Sequence, residues 1–228
     1  MIRLPGTKKY CVLTGNYGSG KTEIALNLAT QLSPAEKTTL VDLDIVNPYF
    51  RSGEKKEEME RAGIRMLMPV FALTTVDIPA LPAEIQSVFE VPADRVIFDV
   101  GGDDTGAAAL GRYYPSFSAN RENTLMVLVL NGMRPLTRDP EDVCDLAERI
   151  SSRGRMAFDM IINNTNLADQ TTPEMLMEGE HLAEICAERL GIADICNTGM
   201  PEVLSACELH HPAYPIRRKM VPEWMGDL

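Results

Sequence analysis

A chain of 228 residues, 45% hydrophobic and 24% charged, carries enough apolar material for one sizeable α/β domain, and residues 1–228 read as that single domain. Its formal charge of −11 and pI of about 4.8 exclude a general nucleic-acid surface, which needs clustered Lys and Arg to release counterions. The five scattered cysteines form no CxxC pair, which excludes a zinc ribbon or a disulfide framework and suits a reducing compartment.

Apolar runs of strand length alternate with stretches of helical period, the rhythm of a mostly parallel sheet of about seven strands between two helical layers. Arg3, Lys8 and Lys9 precede only the short apolar run Tyr10–Leu13, so no secretory signal is expected. The longest unbroken apolar stretch, Leu125–Leu130, falls far below the roughly 20 residues a membrane span needs, and a cytoplasmic protein is expected. The first predicted strand, Tyr10–Thr14, runs into Gly15-Asn16-Tyr17-Gly18-Ser19-Gly20-Lys21-Thr22, which matches G-x-x-x-x-G-K-[ST]. Glycines at these places let successive backbone N–H groups point at a phosphate, and the following helix adds its free amides and positive end. Lys21 would reach the β- and γ-phosphates and the Thr22 hydroxyl would bind Mg²⁺. In the helix Gly20–Leu32 that follows, Ile24, Leu28 and Leu32 make the inward stripe.

The second predicted strand, Thr38–Val46, ends in Asp42-Leu43-Asp44, and alternation places both carboxylates on one face. After a third strand at Ile64–Pro69, the fourth, Arg95–Val100, carries four apolar residues around Asp99 and then Gly101-Gly102. Such an acid holds Mg²⁺ opposite the loop threonine, and the glycines leave room for backbone beside a γ-phosphate. Asp103 and Asp104 read as caps of a helix starting near Thr105, and Tyr113, Tyr114 and Phe117 as side chains packed at its end. The strand Thr124–Leu130, the amphipathic helix Glu141–Ser152, the strand Phe158–Asn163, the helix Thr172–Leu190 and the strand Ile192–Thr198 complete the pattern. His210 and His211 are adjacent but lack a spaced third ligand, so no metal is expected there. The tail Ile216–Met225 sets a basic cluster beside apolar residues, but Pro222 would break a membrane-binding helix, and Glu223 and Asp227 oppose anionic lipid.

The phosphate loop, the Asp42-x-Asp44 pair and Asp99-x-Gly101-Gly102 together resemble the MinD/ParA/CobQ group of P-loop ATPases, within the SIMIBI class, the branch that also holds dethiobiotin synthetase. The resemblance covers the first half of the chain well and the second half through its strand–helix rhythm. It implies that Asp44 orients the attacking water and joins the Mg²⁺ site, and that Asp99 is the Mg²⁺-linked strand acid. It also implies a base pocket at Asn163 and Asn164, in Asn163-Asn164-Thr165-Asn166, and at Pro201. A GTPase of the NKxD type would end that run in Asp; Asn166 stands there, so ATP is expected. The second signature lysine of the group is replaced by Asn16, and Arg51 is the nearest candidate to supply a charge. The implied function is a slow ATP-driven switch, with a homodimer or protein partner engaged through Asp44–Arg51 and Gly101–Tyr114. Two other readings stay open: an ATP-dependent ligase of the cobyrinate or dethiobiotin type, with Arg51, Lys55 or Arg112 holding a small carboxylate, and a nucleotide-responsive binding protein without appreciable hydrolysis.

Overall fold

The computed structural model describes residues 8–44, 56–68 and 83–220. Its frame is set by near-continuous apolar strands that must be covered on both faces. In chain order these are β1 (Tyr10–Thr14), β2 (Thr38–Leu43), β3 (Arg65–Leu67), β4 (Arg95–Val100), β5 (Thr124–Leu130), β6 (Met160–Asn163), β7 (Asp194–Gly199) and β8 (Ala213–Pro215). They form one sheet in the order β3-β2-β4-β1-β5-β6-β7-β8, and every pairing is parallel. Strand β1 lies between β4 and β5, with Leu13 beside Asp99 and Val127. The carboxyl ends of β1, β2 and β4 therefore lie side by side, where ligands bind in open α/β sheets.

Alternation divides the strands between two cores. Cys11, Leu13 and Ile97 pack with Ile24 and Leu28 of α1 (Lys21–Leu32) and Met59 of α2 (Lys56–Arg61). Tyr10, Val12 and Phe98 face the other way, toward the short α3 (Ala83–Gln86), α4 (Asp104–Arg112) and α5 (Tyr114–Ala119). There Phe117 is fully buried and meets Phe89 and Phe98 edge-on at 5.1 Å between ring centroids. Tyr113 is buried in the same cluster. The helices α6 (Pro140–Gly154) and α7 (Pro173–Leu190) cover β5 to β7 through Val143, Ala147, Leu182 and Ala183. Each starts with proline in its first turn behind a side-chain cap, Asp139 or Thr172. A short helix, α8 (Pro201–Leu204), leads toward β8.

Among the described residues the sheet has eight strands, where the sequence pattern predicts about seven. The extra one, β8, is a three-residue edge strand ending at Pro215, too short and too exposed to leave an apolar run. Strands β6 and β7 start two residues later than expected; at β7, Ile192 donates its N–H to Ala187 and closes the last turn of α7. Ile45, Val46, Pro69 and Arg51 lie outside the described residues, as does the tail from Val221 onward. Among the described residues no helix is long and apolar enough to cross a membrane.

Burial pushes the thiols of Cys11, Cys186 and Cys196 up to about 12. Thiolate is the reactive form, so at about pH 8 a disulfide reagent is expected to titrate only the half-buried Cys144 and Cys207 in the native protein. All 5 thiols should react after denaturation. Fast labelling of Cys196 in native protein, read by peptide mapping, would contradict this packing.

Candidate functional site

The loop after β1 needs backbone that only glycine adopts at little cost. Gly15, Gly18 and Gly20 have φ of 152°, 73° and 87°. A Cβ on Gly15 would meet the Val129 carbonyl oxygen at 2.2 Å, and one on Gly102 would meet the Gly15 carbonyl oxygen at 1.7 Å. The β1 and β4 loops thus touch backbone to backbone.

Neighbouring side chains hold the carbonyls of the loop. Gly18 O accepts from Arg134 Nε at 3.0 Å and from Asn131 Nδ2 at 3.3 Å. Ser19 O accepts from Asn164 Nδ2 at 2.8 Å. Asn164 is itself fixed, since its Oδ1 accepts from the Thr198 hydroxyl at 2.9 Å. Gly20, the N-cap of α1, offers no side chain to satisfy the first-turn amides, so the helix presents them to the cleft.

At the inner end of this cradle, Lys21 is buried and its Nζ donates to Asn16 O at 3.1 Å. Burial pulls its ammonium below the usual lysine range, while Asp99, Asp44 and Asp103 act in the opposite direction. The Thr22 hydroxyl donates to Asp99 Oδ2 at 2.6 Å. The other carboxylate oxygen of Asp99 is buried and, among the described residues, accepts no hydrogen bond. Burial pushes the Asp99 carboxyl up to about 6, with Lys21 and the Thr22 hydrogen bond pulling it down and Asp44 adding repulsion. A buried, unsatisfied carboxylate oxygen next to a hydroxyl is a donor set of hard oxygens, which suits Mg²⁺. Asp44 borders the same cleft, and its N–H is held by Asp42 Oδ1 at 2.9 Å. Asp103 serves as the N-cap of α4, accepting from Gly106 N at 2.8 Å.

From Lys21, Thr22 and Asp44 a cleft of about 560 Å³ runs over Gly18 and Gly20, passes Arg134 and Asn164–Asn166, and ends between Leu176, Met200, Val203, Ile216 and Met220. Tyr17 is 64% exposed at its lip. The structure thus brings Tyr17, Gly18, Gly20, Lys21, Thr22, Asp44 and Asn164 to one cavity, with Asp99 directly behind Thr22. Gly15, Asn16 and Ser19 form the remainder of the loop, Ser19 with its side chain buried.

Two of the residues assigned to a base pocket stand elsewhere. Asn163 is fully buried and turned away, its Nδ2 donating to Leu176 O at 3.0 Å and to Asn197 Oδ1 at 2.8 Å. Its Oδ1 accepts from Thr165 N at 3.1 Å, so its amide is spent inside the protein. Pro201 begins α8 outside the cleft wall, which its neighbour Met200 joins instead. Sequence reasoning missed Asn131 and Arg134, although an Asn-Gly turn directly after β5 signals a loop beside the phosphate loop. It also missed Ile216 and Met220, whose wall depends on contacts with α1. Asn27 of α1 brackets Arg217 through both N–H and C=O, and Glu23 accepts from the amides of Lys219 and Met220.

No protein-family model matches the chain, and no curated protein matches it. Solved structures do. The chain is similar to FtsY from Mycoplasma mycoides, with 17% identity over 82% of this chain and 58% of that one and a TM-score of 0.53. It is also similar to the signal recognition particle 54 kDa protein from Aeropyrum pernix K1, in complex with GDP, with 24% identity over 86% of this chain and 42% of that one and a TM-score of 0.54. The chain thus spans about half the length of these structures. At such identities the likeness is one of fold alone, an α/β P-loop NTPase fold, and it does not single out the MinD/ParA/CobQ group.

Removing the Asn164 amide leaves Ser19 O and the Thr198 hydroxyl buried without these partners. Asn164→Ala is therefore expected to lower the free energy of unfolding by about 1–3 kcal/mol in urea titrations. An unchanged urea midpoint would mean that this amide does not hold the loop.

Proposed function

We propose that the chain binds ATP with Mg²⁺ in this cleft and hydrolyses it slowly, acting as a nucleotide switch. The observation that carries the reading is the glycine-built loop whose carbonyls are pinned by Asn131, Arg134 and Asn164, with buried Lys21 at its inner end. Amides of the loop and of the first turn of α1 would receive the β-phosphate. Lys21 would leave Asn16 O for the phosphate oxygens, exchanging one acceptor for several charged ones. Thr22 and Asp99 would hold Mg²⁺, which supplies charge neutralisation at the β- and γ-phosphates. Asp44 would orient the attacking water, and the Asp42 contact to its N–H keeps the end of the strand in place for that task.

The apolar end of the cleft, with Leu176, Met200 and Val203, suits a purine. Adenine is preferred because Asn166 occupies the place of the carboxylate that an NKxD site offers to guanine. Its Nδ2 is committed to Asn164 O at 2.7 Å. The γ-phosphate would lie near Asp44 and Gly101–Gly102, so its loss is the event that a partner or second copy would sense. Tyr113 and Phe117, buried in the core, are unavailable for that contact.

Lys21→Ala is expected to abolish ATP binding measured by calorimetry. Asp44→Ala should bind ATP within a few-fold of the parent and lose phosphate release by about 100-fold or more, the scale of a lost general base. Normal ATP binding by Lys21→Ala would remove the basis of this reading. Tighter binding of GTP than ATP would overturn the base assignment alone.

A further inference from the structure

The chain has 3 histidines, and all of them reach one carboxylate, Glu184, within α7. His210 Nδ1 lies 3.0 Å and His211 Nε2 3.4 Å from Glu184 Oε1, while His181 Nδ1 lies 3.5 Å from Glu184 Oε2. Glu180 sits one helical turn before Glu184, on the same face of α7. Donor atoms of Glu180, Glu184 and His210 all fall within 4.8 Å of one another. The histidine pair, which lacks a third ligand nearby in sequence, meets its partners at separations of 26 to 31 residues, which no local spacing reveals.

The backbone of the pair is fixed before any ligand arrives. Glu180 is buried, and its Oε1 accepts from Asn197 Nδ2 at 2.7 Å, from His211 N at 2.9 Å and from His210 N at 3.1 Å. Its Oε2 accepts from His210 N at 3.1 Å. A buried carboxylate thus clamps the two histidine amides against α7, and the rings are carried by rigid main chain. The Glu184 and His210 side chains, by contrast, are open to solvent from one side. Glu180 Oε2 takes up one hydrogen bond where Oε1 takes three, so Oε2 is the oxygen left to meet an ion.

We propose that Glu180, Glu184 and His210 form a site for a divalent transition-metal ion of the zinc type, with His211 closing the fourth position by rotation about its side chain. A tetrahedral ion at about 2.0–2.1 Å from each donor sets its ligand atoms about 3.3 Å apart, the spacing at which His210 and His211 already flank Glu184 Oε1. Imidazole nitrogen with carboxylate oxygen selects zinc, cobalt or nickel over magnesium, whereas the Thr22–Asp99 set offers oxygen alone. The two sites therefore differ in chemistry as well as place. His181, on the opposite oxygen of Glu184, lies at the rim.

The test is calorimetric titration of the full chain with Zn²⁺, without nucleotide and with Mg²⁺ in excess. One equivalent is expected to bind. His210→Ala, a change at an exposed ring that should leave folding intact, is expected to weaken binding by about 10–100-fold or more, the scale set by loss even of an outer partner. Asp99→Asn is expected to leave Zn²⁺ binding unchanged. Because only 3 histidines contribute, the imidazole ¹H–¹⁵N spectrum offers a second measurement, in which Zn²⁺ should shift the His210 signals. Absence of binding, binding unaltered in His210→Ala, loss in Asp99→Asn, or an unmoved His210 signal would each overturn the proposal.

Discussion

Two loops leave neighbouring strands so close together that the second has no room for a side chain at the contact. Gly102 lies against the carbonyl of Gly15, and the Thr22 hydroxyl bonds to buried Asp99. Together these contacts set the end of β4 against the start of α1 and fix where a phosphate and a cation could meet. The sheet order is what makes the contact possible, since β1 and β4 are hydrogen-bonded neighbours with Leu13 opposite Asp99. A side chain at Gly102 would force the two loops apart, and one at Gly15 would strike the Val129 carbonyl of β5, each by more than packing can absorb.

The loop's shape is held mainly from behind. Its carbonyls are occupied by one guanidinium and two side-chain amides drawn from the β5 and β6 loops, so the amide edge is left to face the cleft. The same two loops are linked to each other, because Asn131 Nδ2 also donates to Asn166 O at 3.2 Å and Asn131 Oδ1 accepts from Asn166 N at 3.2 Å. Such preorganisation lowers the cost of ordering when an anion arrives. It also explains why so many asparagines and threonines lie fully buried at the strand ends: each has its hydrogen-bonding capacity taken up by main chain or by another of the set.

Much of this was legible in the sequence. The boundaries of β1, β4 and β5 follow directly from runs of apolar residues covered on both faces, and the glycine-lysine loop announces its own conformation. Asp99 could be singled out because four apolar neighbours isolate one acid at the end of a strand. The distinction between Asn163 and Asn164 was not legible. Adjacent strand residues point to opposite sides, and which of the two faces the loop depends on the registry of β6 with β5 and β7. Strand β8 and the histidine–glutamate cluster stayed hidden for a related reason. Both arise from contacts between segments far apart in the chain, and neither leaves a periodic mark.

The wall made by Ile216 and Met220 belongs to a strap seated on α1 by Asn27 and Glu23, which lie on the same helix that begins with Lys21 and Thr22. Seating of the strap and filling of the cleft are thus coupled equilibria. By thermodynamic reciprocity, an occupant that favours the docked strap tightens the strap by the same free energy with which the docked strap tightens the occupant. The segments that carry the two rims, separated by 190 residues along the chain, are joined through α1.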